Sequence, residues 1–222
     1  MEKNKRKKIE MLILVSIVII SLLLWNTIII FPIKIFVVFL HEVSHAIAAI
    51  LTGGTIIKMD IGLDLGGRCE LENGNTFIIA LAGYLGSFLF GSFMFYSAYS
   101  KKYINLSIIS ITVIVVLFAV NLITTAAIQI LAITFSCGLL ISLKYAPEIF
   151  TKYVLAVLGL VSCLYVIFDI KEDILDQNAA NSDATIIASL TGIPEVFWGL
   201  LWVCISLIGL FLLFKSAYKK TK

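Results

Sequence analysis

Residues 36–54 read FVVFLHEVSHAIAAILTGG. Two histidines and a glutamate interrupt a helix-length apolar run that stops at Gly53-Gly54, a suitable C-terminal signal. A run this apolar belongs in a protein core or in a bilayer, and composition chooses between them. Of 222 residues, 60% are hydrophobic and 14% charged, with a mean hydropathy of +1.05. Soluble domains run at about 45–50% and about 25%. Too few polar residues remain to coat a globule, so the excess faces lipid. A soluble enzyme, a disordered regulator and a disulfide scaffold are excluded. Three prolines and no low-complexity tract exclude a fibrous or linker-rich chain.

Working outward, the expected architecture is an all-α polytopic membrane protein with six to seven transmembrane helices. Residues 11–31 form a first apolar span, too long for a signal peptide and without a small-residue cleavage site. Pro32 punctuates it, and the motif helix follows over 33–52. Residues 55–75, TIIKMDIGLDLGGRCELENGN, turn glycine-rich and weakly alternating, which predicts a short β-hairpin. Further spans are expected at 76–98, on either side of a break near 121–125, at 149–170 and at 196–214. Residues 171–192 form a polar interfacial segment and 1–10 a basic cytoplasmic tail, all within a single domain over 1–222. Seven crossings put the basic termini on opposite faces. If the motif helix only dips into the membrane, six crossings put both termini, Lys101-Lys102 and Lys144/Lys152 on one face, as the positive-inside bias favours.

The basic termini read as anchors that touch anionic headgroups, so the expected partner is the lipid bilayer and no nucleic acid. The four cysteines show no paired spacing and read as small hydrophobes. An Ile-, Lys- and Asn-rich composition is compatible with a bacterial cell membrane.

His41 and His45 are four residues apart, so on a helix both imidazoles project from one face. That spacing suits one tetrahedral Zn²⁺, and Glu42 is placed to take a proton from a water that zinc has brought to a pKa of about 7. This is the H-E-x-x-H pattern of zinc metallopeptidases. The chain has only two histidines, both in the motif. The alternative is a packed histidine pair, which would leave Glu42 in an apolar helix with no evident basic partner, and ionisable groups in membrane spans are functional candidates by default.

A catalytic zinc takes about three protein ligands, so with no third histidine a carboxylate is required. Asp169, ending the run YVIFD, is the first candidate, because ligation would offset the cost of a half-buried carboxylate. Asp183, in NSDA, is the runner-up, with a helix N-cap as its plainer role. Asp173, one turn beyond Asp169, is third. Asp60 and Asp64 are expected as exposed turn residues.

HEVSHAIAAILTGG, the glycine-containing hairpin, LAGYLGSFLFG and NSDATIIASLTGIPEVFWGLLW together resemble the site-2 protease-like intramembrane zinc metallopeptidases, in the compact peptidase M50B-like branch. The resemblance implies cleavage of membrane-protein substrates within the bilayer, with His41 and His45 as zinc ligands and Glu42 as catalytic base. It also implies an aspartate ligand, taken elsewhere from an Asp-Gly motif that this sequence lacks. The stripe Gly83, Gly86, Ser87 and Gly91 would let a neighbouring helix approach closely, the hairpin would offer an edge to an unwound substrate, and Asn121 would hold substrate backbone or simply form a turn. The rival readings are a metal transporter or sensor, and a binder of membrane helices without catalysis.

Overall fold

The computed structural model describes residues 2–175 and 182–221, and for residues 2 and 171–175 the backbone alone. The described residues are 80% helical. In order, the elements are α1 (Glu2–Leu24), α2 (Phe31–Leu51), β1 (Thr55–Ile61), β2 (Gly67–Glu72), α3 (Thr76–Ala98), α4 (Lys101–Leu122), α5 (Ala126–Tyr145), α6 (Glu148–Leu175), α7 (Asp183–Thr191) and α8 (Glu195–Lys220). Six of these helices are long and apolar enough to cross a membrane: α2, α3, α4, α5, α6 and α8. Exposed Leu106, Ile109, Val113 and Val120 on α4, and Leu200, Leu207, Ile208 and Phe211 on α8, are the excess apolar surface that composition assigned to lipid.

The basic stretch 3–8 is helical and forms the first turns of α1, since Lys, Arg and Glu are good helix formers. One expectation at the N-terminus is corrected. The apolar run does not continue as helix to residue 31: α1 ends at Leu24 and residues 25–30 turn. The apolar part of α1 therefore extends about 21 Å at about 1.5 Å per residue, short of a hydrocarbon core of about 30 Å. Pro32 stands in the first turn of α2, where its missing N–H costs nothing.

The charged ends gather at one end of the bundle. Lys152 Nζ lies 2.8 Å from Glu10 Oε1, and the Tyr99 and Tyr153 hydroxyls donate to the two oxygens of Glu10 at 2.7 and 3.1 Å. Lys101 pairs with Glu148 at 3.0 Å. Lys7 lies over the Tyr218 ring, joining the first and last helices, and Lys220 lies over the Tyr96 ring of α3.

The hairpin is a two-stranded antiparallel sheet with Met59 opposite Cys69, Asp60 opposite Arg68 and Ile61 opposite Gly67. It is tied to the α4–α5 turn: Met59 bridges to Ile123, and the Thr125 hydroxyl donates to Asp60 Oδ1 at 2.6 Å. Asp60 is thus a strand residue that anchors the hairpin, while Asp64 stays in the turn and accepts from the Gly66 N–H. Asn121 donates to the Leu117 carbonyl, closing the last turn of its own helix.

In α2 every side chain from Ile35 to Ala46 is buried, as expected of a helix that is apolar all round. The Thr52 hydroxyl ends it by donating to the Ala48 carbonyl, and accepts from the Asn75 N–H that starts α3. Asn75 caps α3 by accepting from the Ile78 N–H. This short hinge lays α3 against α2, and the small-residue stripe makes the contact close. A Cβ on Gly86 would strike Ser44 of α2, and one on Gly91 would meet the Gly159 carbonyl of α6 at 2.7 Å.

Candidate metal centre

The i, i+4 spacing puts His41 and His45 on the buried face of α2, ring centroids 4.7 Å apart and nearly perpendicular. One ligand atom from each of His41, Glu42 and His45 lies within 4.8 Å of the others. The three residues are 7%, 5% and 8% exposed. His45 Nδ1 lies 2.8 Å from the Ile79 carbonyl of α3. A carbonyl only accepts, so Nδ1 carries the proton and the Nε2 lone pair is free to bind. His41 is flanked edge-on by Tyr84 of α3 at 5.1 Å and Tyr165 of α6 at 6.0 Å, with Trp202 of α8 behind Tyr84 at 4.6 Å.

The third arm comes from α7. Asp183 Oδ2 lies 3.3 Å from His41 Nε2 and 3.3 Å from His45 Nε2. Of the two candidate aspartates, Asp183, the runner-up, is the one that meets both histidines, while Asp169, the first candidate, stands half-buried on α6 beside Phe168, which stacks on Trp25. The side chain of Asp173 lies outside the described residues. The cap role expected of Asp183 belongs to its neighbour, because Ser182 accepts from the Thr185 N–H and leaves Asp183 at the first helical position with its carboxylate free to turn inward.

The donor set fits a zinc ion. Tetrahedral ligands at about 2.0–2.1 Å from a metal are separated by about 3.3–3.4 Å, the separation found on both edges from Asp183. Asp183 Oδ2 is nevertheless buried without a hydrogen-bond partner. A buried carboxylate oxygen without a hydrogen bond is costly, and a cation shared with the two Nε2 atoms would offset that cost. The space is also shaped for it. A Cβ on Gly83 would lie 2.5 Å from His45 Nε2 and 2.6 Å from both Asp183 Oδ2 and His41 Cε1.

These positions, on α2, α3 and α7, lie within residues 14–213, all of which match the family model described as Peptidase M50B-like. The chain belongs to the Peptidase M50B-like family. No curated protein and no solved structure matches it. Family membership and six spanning helices together make it a multi-pass integral membrane protein of a peptidase family.

Within this M50B-like chain, Glu42 stands beside the donors with the hairpin packed against it. A Cβ on Gly67 of β2 would lie 2.7 Å from Glu42 Cδ and 2.9 Å from its Cγ, so the strand backbone rests directly on the carboxylate. Sequence reasoning did not single out Gly67, Tyr84, Tyr165 or Ser182. Gly83 was noted for packing alone, and only the fold shows that the same glycine also roofs the site.

Proposed function

We propose that this chain is a zinc-dependent intramembrane endopeptidase that hydrolyses peptide bonds in or near transmembrane segments of membrane-protein substrates. The observation that carries the reading is the convergence of His41 Nε2, His45 Nε2 and an otherwise unpartnered, buried Asp183 Oδ2 beside Glu42. His41, His45 and Asp183 would hold the zinc, which when bound supplies Lewis acidity toward a peptide carbonyl and a water.

The rest of the chemistry belongs to the chain. Glu42 accepts the proton of the attacking water on its carboxylate and returns it to the departing amide nitrogen. Gly67, having no side chain, lets the β2 backbone hold that carboxylate in place without filling the space beside it. Ile79 fixes the His45 tautomer, and the Tyr84 and Tyr165 rings hold the His41 plane. Burial of all three motif side chains keeps bulk water away, so that dipoles and charges act at full strength.

The test is metal content and cleavage on the same detergent-purified protein. Wild type is expected to hold about one zinc per chain and to cut a model transmembrane peptide. Glu42→Gln should keep the zinc and lose cleavage, while His45→Ala loses both. A folded wild type that neither contains nor takes up zinc defeats the proposal.

A further inference from the structure

Asp183 reaches the histidines from α7, a nine-residue helix. A helix that short is not stable on its own, so the direction of its first side chain depends on what pins its first turn. A polar chain does this. Thr185 Oγ1 lies 2.9 Å from Glu195 Oε2 at the start of α8, and Ser182 Oγ lies 3.0 Å from Thr185 Oγ1. A carboxylate only accepts, so the Thr185 hydroxyl donates to Glu195 and must itself accept from the Ser182 hydroxyl. The Ser182 oxygen in turn accepts from the Thr185 N–H at 3.2 Å. Glu195 thus draws the Thr185 hydroxyl proton toward itself and leaves the oxygen to accept from Ser182, and these two residues bracket Asp183.

We infer that Glu195 is a positioning residue for Asp183, acting through Thr185 and Ser182 to aim the aspartate at the two histidines. An acidic residue in the first turn of α8 would serve the helix dipole equally well pointing into solvent. Glu195 instead reaches back ten residues to α7. Groups that orient a metal ligand typically change metal affinity by about 10–100-fold when removed. The inference rests on Asp183 being a zinc ligand, and the two ideas fail separately.

The experiment measures zinc affinity by chelator competition, together with the visible absorption of the Co²⁺-substituted protein. It compares wild type with Asp183→Ala, Glu195→Ala, Glu195→Gln and Thr185→Val. Glu195→Ala and Thr185→Val should weaken zinc by about 10–100-fold and shift the cobalt bands. Glu195→Gln, whose amide oxygen still accepts from Thr185, should stay within a few-fold of wild type. If Asp183→Ala abolishes binding but Glu195→Ala and Thr185→Val match wild type, the positioning role is wrong. An equal loss in Glu195→Gln also overturns it, because accepting a hydrogen bond would not then be what matters. If Asp183→Ala binds zinc normally, the ligand assignment itself fails. Should Glu195→Ala not fold, Thr185→Val and Glu195→Gln decide the question.

Discussion

The carboxylate of Asp183 stands 3.3 Å from the Nε2 of His45, yet its Oδ2 has no hydrogen-bond partner. Two polar atoms this close and not hydrogen-bonded share a geometry suited to a third body between them. Asp183→Ala is therefore expected to reduce zinc from about one per chain to near none, while Asp169→Ala keeps it. Metal analysis of the two purified variants checks this, and retention by Asp183→Ala with loss by Asp169→Ala would reverse the assignment.

Gly83→Ala adds one methyl where His45 Nε2, Asp183 Oδ2 and His41 Cε1 already lie within 2.6 Å. Overpacking of this kind costs about 1–3 kcal/mol, and here the atoms that must yield are the donors themselves. Zinc affinity should fall at least about tenfold, since about 1.4 kcal/mol is a factor of ten. Gly138→Ala, on an exposed stretch of α5 with nothing within 4 Å, should bind zinc as wild type does. Equal affinities for the two variants would contradict the cradle.

Gly67→Ala separates base from metal. Its methyl must push the Glu42 carboxylate aside, and a displacement of about 1 Å can cost on the order of 100-fold in rate. Cleavage should drop by that order with zinc content unchanged. A variant that cuts normally would show that Glu42 does not act from this position.

The visible part of the site was the part carried by one helix. His41, Glu42 and His45 owe their relation to the 3.6-residue repeat alone, which any sequence displays, and the hairpin announced itself through glycines and alternation. The third arm depends on how α7 docks against α3 and α8, which no local pattern encodes. Asp169 looked better because a carboxylate ending an apolar run seems to need a partner. Asp183 looked like a cap because Ser-Asp commonly is one, and Ser182 took that role instead. Likewise, the run over 11–31 reads as one apolar stretch, yet its helix stops at Leu24, just ahead of Asn26-Thr27.

Glu10 lies ahead of that apolar run, outside the six spans. Burial pushes its carboxyl up, but the Lys152 ammonium and the Tyr99 and Tyr153 hydroxyls outweigh this and hold it below the ordinary value. Its folded pKa being lower than its unfolded one, the contribution is complete above the ordinary value of about 4.3 and is lost as pH falls through the depressed one. Glu10→Gln should lower Tm at pH 7 by several degrees, and the gap to wild type should shrink below about pH 4. A gap that stays constant from pH 7 to pH 3 would rule this out.

The Thr125 hydroxyl is the first cause of a lowered Asp60 pKa and fastens β1 to the α4–α5 turn. Thr125→Val should speed amide exchange across β1 about tenfold, as loss of a hydrogen bond to a charged group implies. Hydrogen–deuterium exchange of the hairpin measures it, and unchanged protection would show that the Met59–Ile123 bridge and the pairing with β2 hold the strand without Thr125.

Asp183 meets His41 and His45 only across most of the length of the chain, with α3, α4, α5 and α6 intervening. During synthesis the motif helix emerges early and α7 nearly last. A nascent or truncated chain ending at α6 would carry two imidazoles and a glutamate but no third donor. On the proposed function, the ligand set is thereby completed only after the bundle around it has been built, so that completion of the polypeptide itself would act as the arming step.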